Sequence, residues 1–144
     1  MSLKKTLLAI GIFSTSVFAM EGKNMTVYKS PYCGCCTQWI DIMQNKGFNV
    51  TTKKVDNVNE IKAKVGITRD TASCHTAIVD GYIVEGHVNY SAIKKMLENK
   101  PEIKGLTVPG MPIGSPGMEQ GNIKQPYNIL YINEDGSTGV YEKY

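Results

Sequence analysis

The chain has 144 residues, a formal net charge of +3 and four cysteines. The charge is too small and too scattered to indicate binding to nucleic acid or to an acidic membrane. The acidic residues form no paired-carboxylate pattern, so acid–base hydrolysis has no support either.

The first nineteen residues have the features of a cleavable secretory signal. Lys4 and Lys5 form a basic start, and an apolar run leads to the small-x-small site Val17-Phe18-Ala19. An uncleaved anchor is the alternative, but the run is shorter than the roughly 20 apolar residues that span a bilayer. We predict a signal peptide over 1–19 and one domain over 20–144, exported to the bacterial periplasm, where disulfides persist.

The start of the domain predicts a strand, a turn and an amphipathic helix. Met25 to Lys29 alternates as a strand does, and the turn Ser30-Pro31-Tyr32 leads into a helix from about Cys35 to Lys46. Gly47 is a typical helix stop. One face of this helix carries residues at i, i+3, i+4 and i+7: Cys36, Trp39, Ile40 and Met43.

Two further strand–helix steps follow. Phe48 to Val55 predicts a strand, and Asn57 to Glu60 resembles a capping box that opens a short helix ending at Gly66. Asp80-Gly81 between two apolar runs predicts a hairpin. Asn89 can cap a third helix, whose inward residues would be Ile93, Met96 and Leu97. The order is therefore β-α-β-α-β-β-α, an α/β class.

The remaining chain differs in composition. Residues 109–118, here named the Pro-Gly-Met loop, cannot form a helix or a regular central strand. Tyr127 to Ile132 and Thr138 to Tyr141 flank a turn and predict a closing β-hairpin. We expect this hairpin to extend the sheet and to hold the loop against the body of the domain.

The cysteines lie in two groups, Cys33-Gly34-Cys35-Cys36 and Ser73-Cys74-His75-Thr76. Thiolates at a strand–helix turn either exchange disulfides or hold a soft metal. A helix N-terminus favours the thiolate, so we expect the pKa of Cys33 or Cys36 to be lowered. A static disulfide from Cys33 to Cys36 or to Cys74 is the alternative.

The position of the Cys33-x-x-Cys36 motif resembles that in the thioredoxin-like fold, with two departures. Cys35 adds a third thiol, which would compete as a resolving nucleophile during exchange. Thioredoxin-like oxidoreductases also carry a cis-proline before the third strand, where this chain has Cys74-His75. Copper chaperones of cytochrome oxidase similarly combine a thioredoxin-like body with a cysteine pair and a distant histidine.

A wider set of motifs resembles the DUF411 family of small secreted or periplasmic bacterial proteins. The resemblance covers nearly the whole predicted domain and implies metal binding and a link to copper resistance. The motifs are Tyr28-Lys29-Ser30-Pro31-Tyr32-Cys33-Gly34-Cys35-Cys36, Ser73-Cys74-His75-Thr76-Ala77, Asp80-Gly81-Tyr82, Val84-Glu85-Gly86-His87-Val88 and residues 109–119.

The candidate donors favour copper as Cu(I), because thiolate, thioether and imidazole are soft to borderline ligands. Zinc would accept three cysteines and a histidine, but adjacent ligands at Cys74 and His75 make a tetrahedral site awkward. An iron–sulfur cluster would need all four cysteines at one site. We predict Cys33 and Cys36 as primary ligands, completed by Cys74 or His75. Cys35 is left with two roles, binding a second ion or passing the first onward.

Residues outside the two cysteine groups have several interpretations. Met111 and Met118 lie in the Pro-Gly-Met loop, which has little core to fill, and we predict them as thioether ligands. A surface or capping histidine is the favoured interpretation of His87, whose role the sequence leaves open. We expect Tyr32 and Trp39 to pack beside the site, with Trp39 in the helix core.

These patterns predict a periplasmic copper-binding protein that sequesters or delivers Cu(I), with another periplasmic copper protein as a possible partner. We assign no catalytic or organic cofactor-binding residues, and no membrane span after signal removal. A thiol–disulfide oxidoreductase with Cys33 as nucleophile and Cys36 as resolving thiol is the alternative. A non-catalytic adaptor that docks through the Pro-Gly-Met loop is a third.

Overall fold

A computed structural model describes residues 21–144, so the predicted signal peptide over 1–19 lies outside the described residues. The described chain forms a mixed α/β structure. No helix in it is long and apolar enough to cross a bilayer. Its elements, in chain order, are β1 (Asn24–Lys29), α1 (Gly34–Asn45), β2 (Asn49–Lys54), α2 (Val58–Val65), β3 (Thr76–Val79), β4 (Tyr82–Glu85), α3 (Tyr90–Asn99), β5 (Gly105–Thr107), β6 (Asn128–Ile132) and β7 (Thr138–Lys143).

The strands form one sheet in the order β2-β1-β3-β4-β5-β6-β7. β1 is parallel to β2 and antiparallel to β3, and β3 and β4 form a hairpin. β5 lies parallel to β4, and β6 and β7 close the sheet as an antiparallel pair. The predicted element order up to α3 is confirmed, and the closing hairpin extends the sheet as expected.

The predicted helix ends and turn are also confirmed. The side chain of Asn57 accepts from the backbone N–H of Asn59 at 3.1 Å, and that of Asn89 accepts from Ala92 at 2.8 Å. Asp80 adopts φ +47°, as a two-residue hairpin turn requires. Local side-chain chemistry therefore defines these boundaries to within a residue or two.

The core-facing residues of α1 are the four that the sequence spacing indicates. Trp39 and Met43 are fully buried in the main apolar core, where Met96 of α3 also lies. Cys36 is on the same buried face, one turn before Trp39. Because packing fixes the rotation of α1, it also fixes the direction in which the cysteines at its first turn project.

β5 was not predicted from the sequence. It is only three residues long and has too few positions to show a strand period. A Cβ atom at Gly105 would lie 1.9 Å from the backbone oxygen of Ile83, so only glycine permits this close approach to β4. The strand depends on a long-range contact rather than on a local pattern.

Candidate metal centre

Three cysteines lie at the N-terminal end of α1. Cys33 has extended backbone angles and precedes the helix as its N-cap residue. It forms a disulfide with Cys36, one of the pairings that the sequence left open. Cys35 remains a free thiol, with its sulfur 3.6 Å from that of Cys33. The predicted primary ligands are therefore oxidised in this structure, and the lowered pKa of their thiols stays a prediction for the reduced protein.

Cys74 completes a cluster of four sulfur atoms. The segment that leads into β3 brings Cys74 to the first turn of α1, and all four sulfurs lie within 4.8 Å of one another. Cys35 and Cys36 are about 100° apart around the helix axis. The sulfur of Cys35 nevertheless belongs to this cluster. The two cysteine groups thus lie together in space, and metal ligation by Cys33 and Cys36, completed by Cys74 or His75, stays a prediction.

Both histidines lie against Cys74. Its Sγ atom is 3.3 Å from Nδ1 of His75 and 3.0 Å from Nε2 of His87. Both rings are fully buried. The interpretation of His87 as a surface or capping residue is therefore wrong. These three residues form a second group of potential metal ligands that shares Cys74 with the first.

A backbone turn at Gly86 directs His87 inward. Gly86 has φ +72°, and its N–H donates to the carbonyl of His75 at 2.9 Å. A Cβ atom at this position would lie 2.4 Å from Cβ of Ser73. Glycine therefore allows the turn to pack against residues 73–76, here named the Cys74 segment. The sequence signal for this turn was the glycine before His87.

Hydrogen bonding orients the ring of His87 for ligation. Its Nδ1 lies 2.7 Å from the carbonyl oxygen of Pro116, which can only accept, so Nδ1 carries the proton. Nε2 then presents its lone pair to Cys74. Histidine ligands in metal sites commonly donate their second N–H to a carbonyl in this way.

One ring nitrogen of His75 has no hydrogen-bond partner in the described part of the chain. Among residues 21–144, its Nε2 is the one buried side-chain nitrogen or oxygen without a hydrogen-bond partner. A buried polar atom of this kind costs free energy unless it finds a partner. The donor that His75 offers to the sulfur cluster is its other ring nitrogen, Nδ1, which faces Cys74 and suits a soft metal ion together with the sulfurs.

Burial keeps the donors of this group uncharged near neutral pH. Desolvation raises the pKa of the Cys74 thiol to about 12, and the charge of Cys35 adds to that shift. Desolvation also lowers the pKa of His75 well below its usual value, with further lowering by His87 and by two nearby lysines. The pKa of His87 is lowered by burial, although its bond to Pro116 opposes the shift. The imidazole lone pairs are therefore available, whereas Cys74 must lose a proton to bind metal.

Mild acid is expected to destabilise the copper-free protein. In the unfolded chain His75 takes up a proton near its ordinary pKa of about 6.5, whereas the folded protein resists that proton. Because the unfolded state binds more protons, the unfolding free energy falls by up to about 1.4 kcal/mol per pH unit below pH 6.5. Urea unfolding of wild type and His75→Gln between about pH 7 and pH 5 measures this slope. Equal slopes in the two proteins would contradict the assignment to His75.

Trp39 and Tyr32 differ in their relation to the site. The Trp39 ring lies 4.5 Å from the His75 ring, centroid to centroid, and its Nε1 donates to the carbonyl of Val88 at 2.9 Å. Trp39 therefore belongs both to the core and to the surroundings of the site, as predicted. The expectation that Tyr32 packs there is wrong, because its side chain is 94% exposed on the turn before α1.

The Pro-Gly-Met loop lies across the centre. At one end, Gly110 donates its N–H to the carbonyl of Ala72 at 3.1 Å, next to the Cys74 segment. At the other, Gly117 has φ +84°, and a Cβ there would be 3.0 Å from the carbonyl oxygen of Cys35. The N–H of Gln125 donates to Ile113 at 2.8 Å. The chain just before the closing hairpin, rather than its strands, makes this contact with the loop.

The two predicted thioether ligands lie at opposite ends of the loop. Met111 follows Gly110 and is 52% exposed, whereas Met118 is partly buried and follows Gly117. The loop contacts place both ends near the centre. A ligand role for either methionine stays a prediction.

Two solved structures resemble this fold over most of its length. "Copper resistance protein copG", form 2, has a TM-score of 0.82 and 36% identity, with 86% of this chain and 99% of that chain covered. Form 1 of the same protein gives a TM-score of 0.81 at 36% identity, with 86% and 98% covered. The family model described as "Protein of unknown function, DUF411" matches residues 71–118. The chain belongs to the DUF411 family.

The DUF411 match contains half of the candidate centre. It includes Cys74, both histidines and the Pro-Gly-Met loop, whereas the three cysteines of α1 precede it. The similarity to the copper resistance proteins covers 86% of the chain at 36% identity, well beyond the matched segment. No curated protein sequence matches the chain significantly. A copper-related role and a cysteine cluster able to bind metal are thus supported together.

Proposed function

We propose that this DUF411 protein binds copper as Cu(I) and sequesters or delivers it. The observation that carries the proposal is the convergence of all four cysteine sulfurs within 4.8 Å of one another. Two buried imidazoles adjoin this cluster at Cys74. Sulfur and neutral imidazole are donors that suit Cu(I). The names of the two structural relatives point to the same metal.

The proposed ligands are Cys33 and Cys36 in their reduced form, with Cys74, His75 and His87 completing the coordination. A thiol reductant must first supply two electrons and two protons to the disulfide, which yields two thiols. Each thiol gives up its proton as it binds copper. Cys35 lies close enough to share an ion or to hold a second one.

The preference for copper over zinc rests on donor softness and on the copper-resistance relatives. Cys74 and His75 are adjacent in sequence, yet Sγ of Cys74 and Nδ1 of His75 lie only 3.3 Å apart. Their adjacency therefore counts little against zinc. Zinc would also accept thiolates and imidazoles in a tetrahedral site. Cu(I) is satisfied by two or three ligands, which this crowded cluster can supply in several combinations.

The body of the protein is proposed to be thioredoxin-like. Its first four strands lie in the order β2-β1-β3-β4, with β1 and β2 parallel and joined through α1. Cys33 and Cys36 stand at the N-terminus of α1, where such folds carry their cysteine pair. This arrangement places the sulfur cluster beyond the carboxyl end of β1.

The site of action is proposed to be the bacterial periplasm, reached through the signal peptide predicted over 1–19. Delivery would proceed by ligand exchange with another periplasmic copper protein. The exposed Met111 is the donor best placed to meet such a partner, and Met118 is the less exposed of the two. Thioether ligands bind Cu(I) without releasing a proton, which suits a transfer step.

The test is an anaerobic Cu(I) titration of the reduced protein against a coloured chelator, with Cys33→Ser/Cys36→Ser beside it. We expect wild type to remove copper from the chelator at a fixed stoichiometry and the variant to bind at least about tenfold more weakly, because it lacks two thiolate ligands. Cys33→Ala/Cys36→Ala controls for weak ligation by serine. Equal failure of all three proteins would refute the copper proposal.

Thiol–disulfide exchange is the second candidate, favoured by the Cys33–Cys36 disulfide at the helix N-terminus. Cys33 is partly exposed and Cys36 is buried, as for an attacking and a resolving thiol. The free thiol of Cys35, 3.6 Å from Cys33, would compete during resolution. Turnover of a disulfide substrate that is lost in Cys33→Ser and retained in Cys35→Ser would support this alternative over copper storage.

A further inference from the structure

A buried ion pair lies beneath the Cys74 segment. Lys62 of α2 and Glu85 at the end of β4 are almost fully buried, and the ammonium of Lys62 contacts Oε1 of Glu85. Lys62 also donates to Oγ1 of Thr76 at 3.0 Å. Lysine and glutamate are rarely buried, so the burial of both side chains is unusual.

The carboxylate of Glu85 holds both ends of the segment that carries two proposed ligands. Its Oε1 accepts from the backbone N–H of Ser73 at 2.7 Å, and its Oε2 accepts from the hydroxyl of Thr76 at 2.6 Å. Cys74 and His75 lie between these two anchors. The next residue after Glu85, Gly86, donates its N–H to the carbonyl of His75 at 2.9 Å.

A gain in stability alone does not explain why the ion pair of Lys62 and Glu85 is buried. Replacement of a buried ion pair by apolar residues of similar volume is often neutral or stabilising, because desolvation of two charges offsets their attraction. A carboxylate that must accept from a backbone N–H and a hydroxyl at once cannot be replaced by an apolar side chain. Glu85 therefore anchors Ser73 and Thr76 through its carboxylate. The ammonium of Lys62 neutralises that buried charge and offsets part of its desolvation cost.

We propose that Glu85 is a positioning residue, neutralised by Lys62, that holds Cys74 and His75 in place at the sulfur cluster. The inference deepens the proposed copper function and rests on it for the identity of the ion. Groups that orient metal ligands typically change metal affinity by about 10–100-fold when they are removed. Loss of the anchors should therefore weaken copper binding while leaving the cysteines of α1 in place.

The experiment compares two variants in which both charges are removed. Lys62→Met/Glu85→Gln keeps an acceptor for Ser73 and a donor for the Thr76 hydroxyl, which can accept in turn. Lys62→Met/Glu85→Leu keeps the volume but removes both anchors. In the anaerobic chelator titration, we expect the leucine variant to bind Cu(I) roughly 10–100-fold more weakly than wild type and the glutamine variant to bind within about threefold of it. The near-ultraviolet copper–thiolate absorption should change only in the leucine variant.

A copper-free readout separates this inference from the proposed function. The rate at which iodoacetamide alkylates Cys74 in the reduced protein, read by mass spectrometry, should rise in the leucine variant and not in the glutamine variant. The alkylation rate of Cys35 serves as the internal reference. If wild type binds no copper, the proposed function fails, yet the Cys74 alkylation rates still decide the inference.

Equal copper affinity and equal Cys74 alkylation in the two variants would overturn the positioning role. Far-ultraviolet circular dichroism shows whether each variant is folded. Should the leucine variant not fold, Thr76→Val removes only the anchor at Oε2, and it is expected to give a smaller loss of affinity and a smaller gain in alkylation. An unchanged Thr76→Val protein would then overturn the proposal.

Discussion

Replacement of Trp39 by alanine is expected to lower the free energy of unfolding by about 3–5 kcal/mol. The side chain is fully buried in the main core, so its removal leaves a cavity that the sheet and α3 cannot close. The substitution also leaves the carbonyl of Val88 without the donor that reaches it from Nε1. Urea unfolding of the copper-free protein measures the loss.

The same substitution should also affect the metal centre, because the indole ring lies 4.5 Å from the ring of His75. Met43→Ala is the matched control. Met43 is fully buried on the same face of α1, one turn farther from the cysteines, and its truncation should cost about 2–5 kcal/mol. Copper should dissociate faster from Trp39→Ala than from Met43→Ala. Equal dissociation rates would show that Trp39 contributes only to the core.

Local patterns were enough to predict most of the secondary structure. The face of α1 that carries Trp39 and Met43, the caps at Asn57 and Asn89, and the turn at Asp80 each depend on residues close in sequence. β5 could not be predicted in this way. Its place is defined by the approach of the Gly105 backbone to Ile83 across the sheet, a contact that no short window contains.

The parts of the site formed by cysteine, a rare residue type, were predictable from the sequence. The parts formed by commoner polar residues were missed. Clustered cysteines indicate a functional site, and Cys74 does lie close to Cys33 and Cys36 in the fold. His87, Lys62 and Glu85 were missed or left aside, because a single histidine or charged residue is usually exposed. Their burial comes from the tertiary packing of β4, α2 and the Pro-Gly-Met loop around the centre.

The redox state of the cysteines links the two candidate functions. The Cys33–Cys36 disulfide withholds two of the four sulfurs from copper, whereas Cys35, Cys74 and the two imidazoles remain available as donors. Oxidised protein should therefore hold less copper than reduced protein. In an oxidising compartment, a reducing partner would then control how much copper the protein can carry.

The copper affinity of wild type is expected to rise with pH more steeply than that of Cys74→Ser, by about an additional tenfold per pH unit. The pKa of Cys74 is raised to about 12, so its thiol is protonated throughout the neutral range. Copper that binds Cys74 must release this proton, and binding therefore strengthens as pH rises. His75 and His87 add no further pH dependence above about pH 6.5, because their lowered pKa values leave both rings neutral there.

Competition titrations between about pH 6.5 and pH 8, with the chelator calibrated at each pH, measure the two slopes. Cys35→Ser is the matched control, since it also removes one free thiol but leaves Cys74 against both histidines. If Cys74→Ser keeps the slope of wild type, copper does not displace the Cys74 proton, and Cys74 is then not among the thiolate ligands. A slope lost only in Cys74→Ser would instead locate the ion between α1 and the histidines, because Cys74 is the one donor shared by the two ligand groups.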